Sequence, residues 1–408
     1  MKRTIFILLS TFVCILCNAK VLPLKVILDS IEKNNPLLLS YENKINSANA
    51  LVSSANTWTS PKVGVEFDRN TYTFDNFYDG VVRFSLMQDF PNRKLINAEG
   101  NYLSSLSQIQ LNEYAYQRNK LFAQAKTAYY GIYIMQQDTA IIHQNIKTLK
   151  SMINLTEKQL SAGKADMASV FILQARLADK ETKLIHNENM IKSYIVELNY
   201  LMNADLDQVF SIDTSSIIKN YRYLYSPVKD SIQYRRSDIM QMNSMISSMQ
   251  LNQTWISLRG RPTFGFKVEH FAMINKPDMF SIMGTMTIPI APWSSRGYKS
   301  RVNAMHYSII GLEQEKQNMV NMTYQMIRML MIEMGSEYQE IDNYNNKVIP
   351  AYQKSFDANL LSYGQNTNSL AMVLMAYNDL QMAQMEYVKH LETLLKVQVS
   401  YEKEMQIQ

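Results

Sequence analysis

The residues of this chain best suited to bind anything are its methionines. There are 27, and 20 of them fall after residue 239. Met240, Met242, Met245 and Met249 cluster in one stretch. Met319, Met322, Met326, Met329, Met331 and Met334 run along a second, and Met372, Met375, Met382 and Met385 along a third. A thioether is a soft ligand that suits Cu(I) and, by the same logic, Ag(I). It is also a flexible apolar side chain that fills the seams between helices, and for any single methionine this is the ordinary role. Met372 and Met375 are the candidate metal ligands; no cofactor is implied. The five histidines, His143, His186, His270, His306 and His390, are scattered, with no HExxH pair among them. No phosphate-cradling or dinucleotide-binding glycine loop is present, and no catalytic constellation emerges, so the chain reads as a non-enzyme.

The elements that would hold these residues occur twice. Pro61-Lys62-Val63-Gly64-Val65 returns 201 residues later as Pro262-Thr263-Phe264-Gly265-Phe266. The same offset maps Asp29-Ser30-Ile31 onto Asp230-Ser231-Ile232, and Leu160-Ser161-Ala162-Gly163 onto Leu361-Ser362-Tyr363-Gly364. This period is far longer than a solenoid unit of about 20–50 residues. It predicts two similar halves: a first repeat over 20–203, a connector over 204–228 and a second repeat over 229–408.

Residues 1–19 read as a secretory signal peptide. Met1-Lys2-Arg3 is basic, Thr4 to Cys17 is an apolar run too short to span a bilayer, and Cys17-Asn18-Ala19 resembles a cleavage site. Both cysteines, Cys14 and Cys17, fall inside it, so the exported chain is expected to have no disulfide. A net charge of +5 over 408 residues gives no reason to expect nucleic acid as a partner. Only 12 Gly and 10 Pro punctuate the chain, so its elements should be long.

Each half opens with a helix, at about 24–58 and 228–258. A β-hairpin follows in each, at about 61–90 and 262–290. In the first, Val63, Val65 and Phe67 alternate with polar residues, as do Val82, Phe84 and Leu86; this period of two is that of a strand with one apolar face. The other face carries Lys62, Glu66, Arg83 and Asp89, with Lys267 and Glu269 in the second half. The chain then becomes helical from about Leu95 to Gln159, which at 1.5 Å per residue is a helix of roughly 100 Å. After a tip near Gly163, Val170, Leu177, Leu184, Ile191 and Leu198 recur every seven residues, the repeat of a left-handed coiled coil. The second half repeats the plan with a helix from about 296 to 361 and a tip near Gly364. Val373, Leu380, Tyr387, Leu394 and Tyr401 then recur at the same heptad spacing.

Strands of about ten residues with one apolar face have the length and pattern of membrane-spanning strands. Lipid admits strands only as a closed barrel, and four strands cannot enclose a lumen, so several chains would have to share one barrel. Hairpins that merely cap a soluble helical bundle are the alternative.

Two repeats of helix, hairpin and long helical hairpin resemble the TolC-type outer-membrane efflux proteins. The matching residues are the strand starts at Pro61 and Pro262, the strand ends Gln88-Asp89-Phe90-Pro91 and Ile288-Pro289-Ile290-Ala291-Pro292, and the tips around Gly163 and Tyr363-Gly364. The stretch Met286 to Lys299 is similar to the heavy-metal branch of that family. The resemblance implies a mainly α fold with a small β part. It also implies a homotrimer whose 12-stranded barrel in outer-membrane lipid continues into a 12-helix periplasmic tunnel. Its partners would be a periplasmic adaptor and an inner-membrane pump of the resistance-nodulation-division type, and its function that of a passive exit duct, with heavy-metal ions as cargo. Lys62, Glu66, Arg83, Asp89, Lys267 and Glu269 would line the barrel, while Gly163, Asp166, Tyr363 and Gly364 would form the tip, gate and adaptor contact. A duct for drugs or secreted peptides, and a soluble periplasmic adaptor or structural protein, remain as alternatives.

Overall fold

The computed structural model describes residues 20–68, 80–215, 217–219, 221, 232, 234–273 and 276–407. The signal-peptide expectation, the hairpin loop at 69–79 and most of the connector beyond residue 221 lie outside the described residues. In chain order the elements are β1 (Lys20–Leu22), α1 (Leu24–Asn34), α2 (Pro36–Leu51), β2 (Lys62–Asp68) and β3 (Val81–Phe90). There follow α3 (Arg93–Ser161), α4 (Met167–Met202), β4 (Phe210–Ile212), α5 (Ser237–Leu258), β5 (Thr263–Met273) and β6 (Met279–Thr287). The last are α6 (Pro292–Asn343), a π-helical turn (Tyr344–Val348), α7 (Ile349–Gly364) and α8 (Leu370–Met405). No described helix is long and apolar enough to cross a membrane.

Packing divides the chain into two compact units, each taking segments from both halves of the sequence. The helical unit comprises Met1–Glu32, Phe122–Tyr221 and Met334–Val399. In it α3, α4, α7 and α8 pack around one core of Leu149, Met152, Leu173, Phe356, Val373 and Tyr377. The heptad positions predicted on α8 deliver Val373, Leu380 and Leu394 to the interior, almost fully buried. Gly131 sits mid-helix in α3 for a packing reason: a Cβ there would run into the ring of Tyr194 on α4. β1 pairs in parallel with β4. The buried Tyr129 hydroxyl ties this pair down, lying 3.2 Å from the carbonyl of Leu22 and 2.9 Å from that of Asp213 while accepting from the Asp213 amide. Gln398, wholly buried, clasps the connector: its Nε2 donates to the Ile217 carbonyl and its Oε1 accepts from the Lys219 amide. A stretch without periodicity is thus held by single polar side chains reaching in from the helices.

The other unit comprises Lys33–Leu121, Arg222–Glu333 and Ser400–Gln408. It holds an antiparallel sheet of order β2-β3-β5-β6 and the helical segments that lead into and out of it.

Three boundaries depart from expectation. The opening helix is two, because Asn35 caps α2, its side chain accepting from the Leu37 amide at 3.0 Å, and Pro36 starts a new helix where its missing N–H is harmless. The last strand stops at Thr287, ahead of Pro289, which has no N–H to give to a ladder. The long helix expected from 296 to 361 is broken by the π-helical turn. Pro350 lies just beyond it and removes the amide that would bond to the carbonyl four residues back.

Candidate functional site

The sheet has two chemically different faces, and the pairing register assigns every residue to one of them. Val65 pairs with Phe84, Phe84 with His270, and His270 with Phe280. Val63, Phe67, Leu86, Phe264, Phe266 and Ile282 share this face and are exposed, Val63 to 78% and Phe280 to 76%. An apolar surface this bare exceeds what a water-facing sheet sustains.

All six predicted lining residues fall on the opposite face. Arg83 is bonded to Glu66 at 2.9 Å and Asp68 at 2.8 Å, Lys267 to Glu269 at 2.7 Å, and Lys62 lies 3.7 Å from Asp89. Ser85, Ser281, Thr285 and Thr287 share it, with Met87, Phe271 and Met283 between them. β2 and β6 are edge strands with no partner on their outer sides among the described residues. At the end of the sheet where β2 begins and β6 finishes stand two exposed tryptophans, Trp58 and Trp293, the former edge-on to Phe90 at 5.4 Å. The sequence reading passed over them. Their signal was position: each lies within a few residues of a strand end, where amphipathic rings mark a water–hydrocarbon boundary.

The tips are built alike but not where the letter-by-letter repeat puts them. α3 ends with Gly163 at φ +72°, and the Lys164 amide reaches back to the Gln159 carbonyl at 2.8 Å. This is the helix stop in which one left-handed residue lets the next amide close the last turn. In the second copy the left-handed residue is Asn366, at φ +58°, and Thr367 makes the equivalent bond to Ser362. Gly364 is instead the last residue of α7. The structural counterpart of Gly163 is therefore Asn366, two residues beyond the one predicted. Tyr363 is buried in the tip core, its hydroxyl 3.3 Å from Thr156 and its carbonyl accepting from Gln159 Nε2 at 2.6 Å, so its side chain is not an outward contact. Asp166 is exposed and caps α4, accepting from the Ser169 amide at 2.8 Å; the Ser169 hydroxyl and then this amide hold its carboxyl below the usual range.

Met372 and Met375 are exposed and one turn apart on α8, sharing its outer face with Met382. Among the described residues no group of three or more His, Cys, Asp or Glu is placed to hold a metal ion. One charged cluster was not anticipated. Arg236 is bonded to Asp238 at 2.6 Å and to Glu404, all three largely buried. Burial works against the guanidinium charge, but Asp238 and Glu404 more than offset it and raise its pKa further.

Residues 27–204 match the family model of the outer membrane efflux proteins. The fold as a whole is similar to solved outer-membrane channels. For OprN the identity is 14% and the TM-score 0.78, over 94% of this chain and 89% of that one. For CmeC of Campylobacter jejuni the values are 14% and 0.75, over 94% and 85%. For CusC, described as forming a transmembrane channel, they are 13% and 0.75, over 94% and 91%. No curated protein matches the chain. Residues 27–204 thus carry the sequence pattern of the outer membrane efflux protein family, and 94% of the chain shares the fold of the solved channels.

Proposed function

We propose that three copies of this chain close into one twelve-stranded barrel in the outer membrane, continued by their helical hairpins as a periplasmic tunnel. The assembly is a passive exit duct, opened at its tips by a periplasmic adaptor coupled to an inner-membrane pump, and its cargo is heavy-metal ions. The observation that carries this reading is the sheet: one bare apolar face, one ion-paired polar face and two open edges. Open edges are untenable in lipid. Lining the lumen with the polar face and lipid with the apolar one satisfies both surfaces at once. A soluble adaptor would have no use for the apolar face. The metal cargo rests on the methionine excess and on the sequence likeness of Met286 to Lys299 to the heavy-metal branch.

Protein purified in detergent and reconstituted into planar bilayers should give stable ion-conducting channels, and cell fractionation should recover it in the outer membrane. Recovery from periplasm without detergent would overturn the duct. For the cargo, a strain lacking the protein should become sensitive to silver and copper salts ahead of antibiotics. Sensitivity to antibiotics alone would transfer the reading to a drug duct. A Met372→Leu/Met375→Leu variant that conducts Ag(I) and divalent ions as the native channel does would remove the tip methionines from any selective role.

A further inference from the structure

In the sheet-bearing unit, a groove of about 440 Å³ brings together four thioethers from two helices. Met319, Met322 and Met326 occupy positions i, i+3 and i+7 of α6, one face of that helix, and Met242 enters from α5. We propose that this groove binds a soft monovalent cation, Cu(I) or Ag(I), through these sulfurs. The proposal deepens the metal-duct reading and rests on it for its purpose, though the groove is formed within a single chain.

Three observations argue against plain packing. The packing stripe on this part of α6 is already supplied by Val320, Thr323, Ile327 and Leu330, spaced three and four apart and all buried. The groove methionines fall outside it, and within one chain Met322 and Met326 are 61% and 48% exposed, so they are not part of that chain's own core. The sulfur of Met322 is also oriented, accepting from Asn318 Nδ2 at 3.5 Å.

The electrostatics suit a cation. Glu315 lies on the same wall, one turn before Met319. Arg236, the groove's positive group, has its charge answered by Asp238 and Glu404. Neutral thioethers around a weakly hydrated d¹⁰ ion, beside a carboxylate, make a site that discriminates against Zn(II) and Mg(II), which prefer nitrogen and oxygen ligands.

The test uses the full chain in detergent, with silver nitrate as the probe in chloride-free buffer. A thioether that gives a lone pair to a metal ion is less nucleophilic and less accessible to an oxidant, so bound silver slows conversion of methionine to sulfoxide. Hydrogen peroxide oxidation read by peptide mass spectrometry should slow about tenfold at Met319, Met322 and Met326 with one equivalent of Ag(I) per chain. Met372 and Met375 should change little, and zinc sulfate should protect none. A Met322→Leu/Met326→Leu variant, close in volume and thus folded, should bind Ag(I) at least about tenfold more weakly by calorimetry, which corresponds to about 1.4 kcal/mol. Unchanged oxidation rates, or equal protection of all methionines, would overturn the site. The same preparation is assayed for bilayer conductance. Channels without groove protection leave the duct standing and remove the site, whereas absent channels count against the duct itself.

Discussion

One left-handed residue closes each tip, a glycine in the first and an asparagine in the second. Gly163 sits at φ +72° with open space where a Cβ would point, so Gly163→Ala would meet no clash and suffer only the left-handed backbone penalty. That costs about 1 kcal/mol, read as a fall of a few degrees in melting temperature. Asn366→Gly, at the equivalent position, should be neutral or slightly stabilising, because asparagine tolerates the conformation that glycine adopts freely. Asp166 adds a pH dependence. Its carboxyl titrates below its ordinary value, so capping is complete above the usual carboxylate range and is lost as pH falls through the lowered value. The exchange protection of the Ser169 amide, taken relative to its intrinsic rate at each pH, should therefore fall in strong acid in the native chain and be low at both pH values in Asp166→Ala. The buried Arg236 cluster is less forgiving. Arg236→Met takes the guanidinium from the largely buried Asp238 and, among the described residues, leaves Glu404 with only Lys403, 3.7 Å away, a loss of about 3 kcal/mol. Adding Glu404→Gln should recover part of it in the same denaturation experiment.

Elements were legible wherever periodicity was strong. Strand phases, heptads and tips follow from one buried face per element, and the sheet register confirms that Glu66 and Arg83 share a face opposite Val65 and Phe84. What escaped was local. The β1–β4 pair is held by Tyr129 and the connector by Gln398, single side chains that leave no periodic trace. The second tip was displaced because matching letters, Leu-Ser-x-Gly, outweighed the heptads, which run 203 residues apart from Val170 to Val373. The π-helical turn supplies part of the difference, since such a turn lodges an extra residue in a helix without ending it. Deleting Asn345 should turn the five π-helical residues into four α-helical ones, which sweep about the same angle, so Phe356 and Tyr363 should keep their buried faces and the α7 and α8 amides their protection from exchange. Rapid exchange in α7 and α8 with β3 and β5 still protected would instead show that the π-helical turn sets the register of the tip.

At the scale of the whole molecule, the sheet is unfinished in two ways: among the described residues its apolar face lacks a cover and its edges lack partners. If lipid is the cover, adjacent residues of β3 should respond oppositely to the same change. Phe84→Arg, on the apolar face, should cost about 2–4 kcal/mol and deplete the assembled protein from the outer membrane. Ser85→Arg, on the polar face, should assemble and lower cation conductance. If copies of the chain complete the edges, β6 of one must lie against β2 of the next. The antiparallel order of the sheet allows this, because β2 and β6 run in opposite directions and the alternation continues unbroken around a ring. Disulfide trapping tests it cleanly, since Cys14 and Cys17, both within the expected signal peptide, are the chain's only cysteines. Glu66→Cys is combined in turn with Ser281→Cys, Met283→Cys and Thr285→Cys. A disulfide forms only where Cα atoms approach within about 7 Å, so one pair in the panel should give a covalent trimer that reductant dissolves, and its identity fixes the register between copies. Monomer alone under oxidising conditions, for every pair and with the protein in native membranes, would mean that β2 and β6 do not meet and that the barrel is not closed by this chain.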